Sequence, residues 1–381
     1  MALQYTKEQK MLRALVKEFA EKEVEPRAAQ MDREEKMDPE LLKKMGELGF
    51  MGLGIPKEFG GAGMGTMEKS ILIEELARKD AATAEVMSVH SMAYLAIMKH
   101  GTQELKEKFL TKAAKGGIAA FALTEPSAGS DASAVKTTAV KDGDDYIING
   151  SKCFISNMGP TEGDFVTVLA ATDPSKGTKG FTAFVVEKGT PGFTIGKREE
   201  KLGIRAADVS ELVFEDCRVP KSHIVGLEGK GYGYFMEALD AGRIGMASQA
   251  LGIAEEALAL SVDYLKVRVQ FGKPLSKQQG LQWYLADMAT KVEAARALIY
   301  EAASDMDRGE KVGKIAAIAK YYASEIGVQV SDKALQIHSG YGYMRDYPLE
   351  RMYRDARIIP IYEGTSEIQK MIISREVLNG R

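Results

Sequence analysis

Apolar positions recur every three to four residues from Thr6 to about residue 118, then alternate, then return to helical spacing after Gly231. In the first stretch Met11, Leu12, Leu15, Val16, Phe19 and Ala20 share one helical face. Thr6 and Gln9 form the reciprocal pair that caps its start. Asp38 followed by Pro39 opens a second helix, and Gly49 closes it in a left-handed conformation. A long helical run from Met67 to Lys115 is broken near Asp80 and Gly101. Between 119 and 226 the segments AAFALTE, TTAVKDGDDYIING, CFIS, FVTVLAAT, GFTAFVVEK, GFTIG and SELVFEDCRVP are short and rich in β-branched and aromatic residues, with Gly, Pro and Asp turns between them. No long helix separates them, which predicts an antiparallel β-domain rather than a doubly wound parallel sheet. Helical spacing then covers 236–266, 276–308, 312–340 and 366–378, lengths that pack as a bundle. The predicted fold is α+β: an all-α unit over 1–118, an antiparallel β-domain over 119–230 and a C-terminal four-helix bundle over 231–381.

Composition narrows the function. With 381 residues the chain exceeds one compact core. Lys and Arg number 51 against 54 Asp and Glu, a net charge of −3, and the signs are interspersed. Neither a nucleic-acid surface nor a polybasic membrane patch is expected. No apolar run has the length of a membrane span, and the charges near the start do not suit a signal peptide. Cys153 and Cys217 are too few for a disulfide framework, and His90, His100, His223 and His338 show no metal spacing, so no metal site is expected and the cytoplasm is the default compartment.

Three pieces carry candidate chemistry. No intact GxGxxG or GxxxxGK[ST] is present, and GGAGMG and GLEGKGYGYF follow no strand, so they are read as surface turns. Residues 121–131, FALTEPSAGSD, leave a strand into a loop of small hydroxyl residues whose N–H groups can converge on an anion or a heteroaromatic edge. An ordinary interstrand turn fits that pattern equally. Residues 154–157, FISN, offer a stacking ring on Phe154 and a donor on Ser156. In RDARIIPIYEGTSEIQ, residues 354–369, Ser366 and Gln369 form a second capping pair, so a helix is expected from about Glu367 with Glu363 just outside it. Ile358, Ile359, Pro360, Ile361 and Tyr362 would desolvate the Glu363 carboxylate and raise its pKa, which suits abstraction of a weakly acidic proton near neutral pH. A solvated loop carboxylate is the plain alternative.

Together these pieces resemble the acyl-CoA dehydrogenase family, most closely its short-chain, butyryl-CoA branch. The match runs over essentially the full length through FALTEPSAGSD, LDAGRIGMASQALGIA, VQFGKPLSKQQ, QIHSGYGYMRDYPLERMYRDAR and IYEGTSEIQ, in the family's order. The resemblance implies FAD as cofactor. Phe121, Ala122, Leu123, Thr124 and Ser130 would line the flavin pyrimidine and pyrophosphate. Phe154, Ile155 and Ser156 stand where the family often has Trp-Ile-Thr, so the hydroxyl that can reach flavin N5 is kept while the indole N–H is lost. Arg268, Phe271, Gln279, Gln336, Ile337, His338, Ser339 and Gly340 match cofactor positions, most of which reach the FAD of a neighbouring subunit. Thr365, Ser366 and Glu367 match further FAD contacts at a helix start. Ser130, Asp240, Arg243 and Gly364 match acyl-CoA contacts.

By the same resemblance Glu363 is the catalytic base. The family's other location for a base, on the helix of LDAGR, holds Gly242 here. The implied reaction is α,β-dehydrogenation of a short acyl-CoA to the trans-2-enoyl-CoA, with electrons passed to an electron-transfer flavoprotein and the chain assembled as a homotetramer. Val86 to Leu95 is the expected lining of the acyl pocket; that run has no Arg or Lys to pair with a dicarboxylic substrate. The same site run backward is an enoyl-CoA reductase, and branched or cyclic acyl groups are alternatives to straight ones. A flavin oxidase or monooxygenase would not need Glu363, and a silent acyl-CoA-binding subunit would not need the flavin set.

Overall fold

The computed structural model describes residues 5–159 and 163–380. Its first segment contains α1 (Lys7–Phe19), α2 (Glu25–Glu34), α3 (Pro39–Glu47), α4 (Thr66–Lys79), α5 (Ala81–His100) and the short turns α6 (Gln103–Leu105) and α7 (Thr111–Ala114). Thr6 and Gln9 cap α1 reciprocally, Asp38 accepts from Glu40 N at the start of α3, and Gly49 has φ +75° just beyond it. Asp80 ends α4 and caps α5 through Thr83 N.

The middle segment holds β1 (Ile118–Ala122), β2 (Thr138–Asp142), β3 (Asp145–Ser156), β4 (Gly163–Ala171), β5 (Phe181–Glu187), β6 (Phe193–Arg198) and β7 (Val209–Pro220) in one sheet. The expected antiparallel sheet is in fact mixed. β1 runs parallel to β4 from Ile118↔Gly163 to Ala122↔Val168, and β2 meets β4 in parallel at Thr138↔Ala171, while β2–β3, β3–β7, β4–β5 and β6–β7 are antiparallel. Residue alternation fixes which face of a strand is buried but not the direction of its neighbour. Here β2 and β3 intervene between β1 and β4, so the chain returns beside β1 in the same direction.

The last segment comprises α8 (Gly231–Val267), a hairpin of β8 (Val269–Gln270) and β9 (Lys273–Pro274), α9 (Gln279–Asp307), α10 (Gly313–His338), α11 (Gly340–Tyr343), α12 (Leu349–Ala356) and α13 (Ser366–Leu378). Two of its boundaries depart from expectation. GYGYF belongs to the first turns of α8 rather than to a surface turn, because a Cβ on Gly231 would lie 2.4 Å from Ala183 N and only glycine lets the helix start there against β5. Helix α13 is capped by Thr365, whose hydroxyl accepts from Ile368 N, not by Ser366; Gln369 turns back to the Glu363 and Gly364 carbonyls instead.

The two helical segments share one apolar core. Residues such as Val16, Ile71 and Leu76 from the first pack with Ile244, Leu251, Ile299 and Val330 from the last. A second core joins the far half of α5 and the start of α8 to β1, β4 and β5 through Tyr94, Phe121, Phe165 and Phe235. Helices α5 and α8 therefore form the seam between helices and sheet. The buried His90 ring pins α5 there: Nε2 lies 3.1 Å from Met51 O, and Nδ1 accepts from Ala119 N at 3.1 Å. Asn157 Nδ2 donates to Val86 O, Thr167 Oγ1 to Ala93 O, and Gln249 Nε2 to Ala81 O. Among the described residues no helix is long and apolar enough to cross a membrane, and no cluster of His, Cys, Asp and Glu could hold a metal.

Candidate active site

A cleft of about 2100 Å³ opens along that seam. The strand side contributes Phe121, Leu123, Thr124, Ser130, Phe154, Ile155 and Ser156; α5 contributes Glu85, Val89 and Met92; α8 contributes Asp240 and Arg243; and the segment before α13 contributes Tyr362, Glu363, Gly364 and Thr365.

The loop after β1 is held from behind by a buried pair. Lys152 Nζ donates to Leu123 O at 3.1 Å and to Glu125 Oε1 at 2.8 Å, while Glu125 also accepts from Lys136 N, Thr137 N and the Thr137 hydroxyl. Burial pushes the Lys152 ammonium down to about 8 against the attraction of Glu125, so this pair shapes the loop more than it stabilises the fold. At the end of β3 a positive φ of +57° swings Phe154 into the cleft, 65 % exposed, between neighbours that pack inward. An exposed ring held in a left-handed conformation inside a strand is costly unless something planar covers it.

Glu363 faces this wall. It has φ +53° and Gly364 φ +89°, a pair of left-handed residues that interrupts the chain between α12 and α13. Gln369 Nε2 donates to Glu363 O and Gly364 O at 3.2 and 2.8 Å, and the fully buried Lys320 of α10 donates to Gly364 O at 2.7 Å. The turn thus aims a carboxylate inward from a loop. Glu363 as a whole is half-buried, yet its Oε2 is sealed from solvent and has no hydrogen-bond partner. Desolvation raises its pKa to about 7, outweighing the nearby charges of Lys320 and Arg243. Burial likewise lowers Lys320 to about 7. Arg243 is buried and paired with Asp240. The Glu363 backbone N–H takes no acceptor among the described residues. Gly242 lies directly beneath: a Cβ there would sit 3.0 Å from Glu363 Oε2 and 2.7 Å from Met92 Sδ. Both locations for a base considered in the sequence therefore converge on one point in space.

Other expected site residues are elsewhere. Ala122 is buried in β1, the Ser366 hydroxyl donates to Glu325, and Glu367 is exposed on α13. Arg268, Phe271, Gln279 and Gln336 to Gly340 do not line the cleft. They cluster about the β8–β9 hairpin and the end of α10, where Arg268 lies over the Tyr341 ring and His338 stacks on Tyr264 at 4.1 Å. Of the acyl lining expected over Val86 to Leu95, Val89 and Met92 face the cleft.

Sequence reading missed three residues. Glu85 and Lys320 are buried charges whose position in the site only tertiary packing reveals, although a lone Glu in the apolar window ATAEVMSVHSM was a visible signal. The Tyr362 hydroxyl, which donates to the buried Gln249, is the third.

The residues present suit a flavin. A cleft with an uncovered ring, a small-residue loop braced by Lys152 and Glu125, and a sealed carboxylate opposite can accept a flat heteroaromatic against the sheet and a second molecule between it and Glu363. Comparison with known proteins agrees with this geometry. Residues 6–117, 120–217 and 229–378 match the N-terminal, middle and C-terminal domains of acyl-CoA dehydrogenase. The chain belongs to the acyl-CoA dehydrogenase family and is an FAD-dependent oxidoreductase. It is 55% identical to an acryloyl-CoA reductase (NADH) of Anaerotignum propionicum over 99% of this chain and 96% of that protein. Butyryl-CoA dehydrogenase from Megasphaera elsdenii superposes with a TM-score of 0.97 at 44% identity, covering 99% of this chain and 100% of the other. A chain of the solved structure described as the electron transferring flavoprotein of Acidaminococcus fermentans gives 0.97 at 47% identity, with the same coverage.

Proposed function

We propose that the protein interconverts a short-chain acyl-CoA and its trans-2-enoyl-CoA, with Glu363 carrying the α-proton. The observation that carries this reading is the sealed, partnerless Glu363 Oε2 facing the Phe154–Ser156 wall across a cleft wide enough for two ligands. Phe121 to Thr124, Ser130 and Phe154 to Ser156 would hold the FAD, which when bound would supply the acceptor for the β-hydride, with an electron-transfer flavoprotein as the electron partner.

The chain's own residues handle the proton. A thioester α-proton is too weakly acidic for a carboxylate in water. Raising Glu363 to about 7 strengthens it as a base, and its backbone N–H, which takes no acceptor among the described residues, is assigned as a donor to the thioester oxygen. One such donor contributes about 3 kcal/mol to the transition state. Lys320 and Gln369 hold the turn so that the carboxylate does not rotate away. Asp240, Arg243 and Ser130 line the way in, where acyl-CoA is recognised. Arg268, Phe271, Gln279 and the end of α10 are assigned to the FAD of a neighbouring subunit in a homotetramer; the 93 % exposure of Phe271 and the arginine over Tyr341 support a face that another chain covers. The free thiols of Cys153 and Cys217 agree with a cytoplasmic location.

The reductive direction is a second reading, favoured by the 55% identity to an acryloyl-CoA reductase. Protonated Glu363 then returns a proton to the α-carbon. A panel of acyl-CoAs with the holoenzyme tests the substrate assignment. Each methylene that fits adds about 0.8 kcal/mol, and one forced into a closed pocket costs about 1–3 kcal/mol. The kcat/KM is expected to peak at four carbons, fall by eight and be negligible for glutaryl-CoA; a maximum at octanoyl-CoA would contradict it.

A further inference from the structure

The proposed reaction uses Glu363, and the wall opposite carries a second buried carboxylate that it leaves without a task. Glu85 sits one turn into α5, 1 % exposed, yet it lines the cleft. Its face of α5 continues through Val89 and Met92, which are apolar. Its Oε1 takes a hydrogen bond from the Ser156 hydroxyl at 3.3 Å; its Oε2 is enclosed and has no partner. The Tyr362 hydroxyl donates to Gln249 Oε1 and also lies within reach of the Glu85 carboxylate, so one proton faces two acceptors. The charges that reach Glu85 are Glu363 from the loop before α13 and Lys201 from the loop after β6, and they oppose each other. Leaving a buried carboxyl oxygen unpaired is unfavourable by about 1–3 kcal/mol, and a pocket meant only for an alkyl chain gains nothing from it. The same atom becomes an asset when a ligand brings a donor to it.

From this geometry we propose that Glu85 is a specificity-determining residue, one that selects short acyl-CoAs whose chain carries a hydrogen-bond donor, a hydroxyl or an ammonium, beyond the β-carbon. The proposal rests on the reading of the cleft as an acyl-CoA site. A donor on the acyl chain reaches the free Oε2 while Val89 and Met92 pack against the methylenes. A carboxylate at that point is repelled by Glu85, which deepens the exclusion of dicarboxylic acyl groups beyond the mere lack of a cation. Sites built to bond a polar substrate group discriminate strongly against the analogue that lacks it, because their own buried polar atom is then left unpaired.

Hexanoyl-CoA, 5-hydroxyvaleryl-CoA and 5-aminovaleryl-CoA differ only in a terminal methyl, hydroxyl or ammonium at the same place, so they isolate this effect. Calorimetric titration of the Glu363→Gln holoenzyme, in which turnover is suppressed, gives Kd for each. With Glu85 present at least one donor-bearing ligand should bind about tenfold or more tighter than hexanoyl-CoA. In a Glu85→Val background that preference should reverse. Glu85→Gln, which keeps an acceptor oxygen but not the charge, should retain the hydroxyl preference and lose the ammonium one; the stronger arm in the Glu85 protein identifies the donor. Equal or tighter binding of hexanoyl-CoA with Glu85 in place would overturn the proposal, as would a Glu85→Val change that weakens all three ligands alike. Butyryl-CoA added to the wild-type holoenzyme separates the two readings. Flavin reduction by butyryl-CoA without donor preference removes only the role of Glu85, whereas no reduction by any acyl-CoA removes the acyl-CoA assignment itself.

Discussion

A carboxylate after an apolar run was legible at Glu363, but the enclosure that raises it to about 7 is built by tertiary packing, with Gly242 of α8 directly beneath its Oε2 and Ile361 of the local run itself exposed. The residues that act on Glu363 through space, Lys320 and Glu85, were not legible, since each is a single charge inside a helix whose face is set by packing against distant parts of the chain. The raised pKa has a signed consequence for the reaction. Proton abstraction needs the carboxylate, so kcat/KM for oxidation of butyryl-CoA should rise as pH increases through about 7 and then level off. Reduction of crotonyl-CoA needs the protonated acid, so its profile should fall over the same interval. Parallel pH profiles in the two directions would mean that a different group titrates. Because Glu85 is also raised to about 7 and feels Glu363, the inflections belong to the pair rather than to either residue alone.

The elements themselves were the most readable part. Helix starts at Thr6 and Asp38 and the breaks at Asp80 and Gly101 follow from caps and turn residues acting over one or two turns. Strand direction was not readable, because the partner of β1 is β4, some 45 residues on, and nothing in either strand's alternation encodes orientation. The start of α8 was missed for a similar reason: Gly231 is there to let the helix touch β5, a contact invisible in its neighbours. The Glu363–Gly364 turn also depends on such a contact, the Lys320 bond to Gly364 O from α10. Lys320→Met preserves the length of the side chain and deletes that bond, leaving a buried carbonyl reliant on Gln369 alone. It should destabilise the fold by about 1–3 kcal/mol in thermal or urea unfolding and lower kcat more than it raises KM, with FAD retained. Unchanged kcat would show that the turn holds its shape without α10.

At the scale of the whole molecule, α5 and α8 couple a helical core to a sheet and leave a cleft at their junction, where elements far apart in sequence bring the Phe154–Ser156 wall and Glu363 face to face. The residues around Arg268 and the end of α10 stand apart from that cleft, and their proposed task needs a second chain. Arg268→Ala should therefore weaken FAD retention and oligomer stability together, seen as flavin loss on gel filtration and a smaller sedimenting species. A wild-type protein that sediments as a holo-monomer would contradict the shared site. The central claim, that Glu363 carries the α-proton opposite a flavin, is tested most directly by anaerobic mixing of holoenzyme with butyryl-CoA while flavin absorbance is followed. The wild type should bleach within its turnover time. Glu363→Gln, with the same FAD content and butyryl-CoA bound, should bleach several orders of magnitude more slowly; bleaching at a comparable rate would show that another group takes the proton.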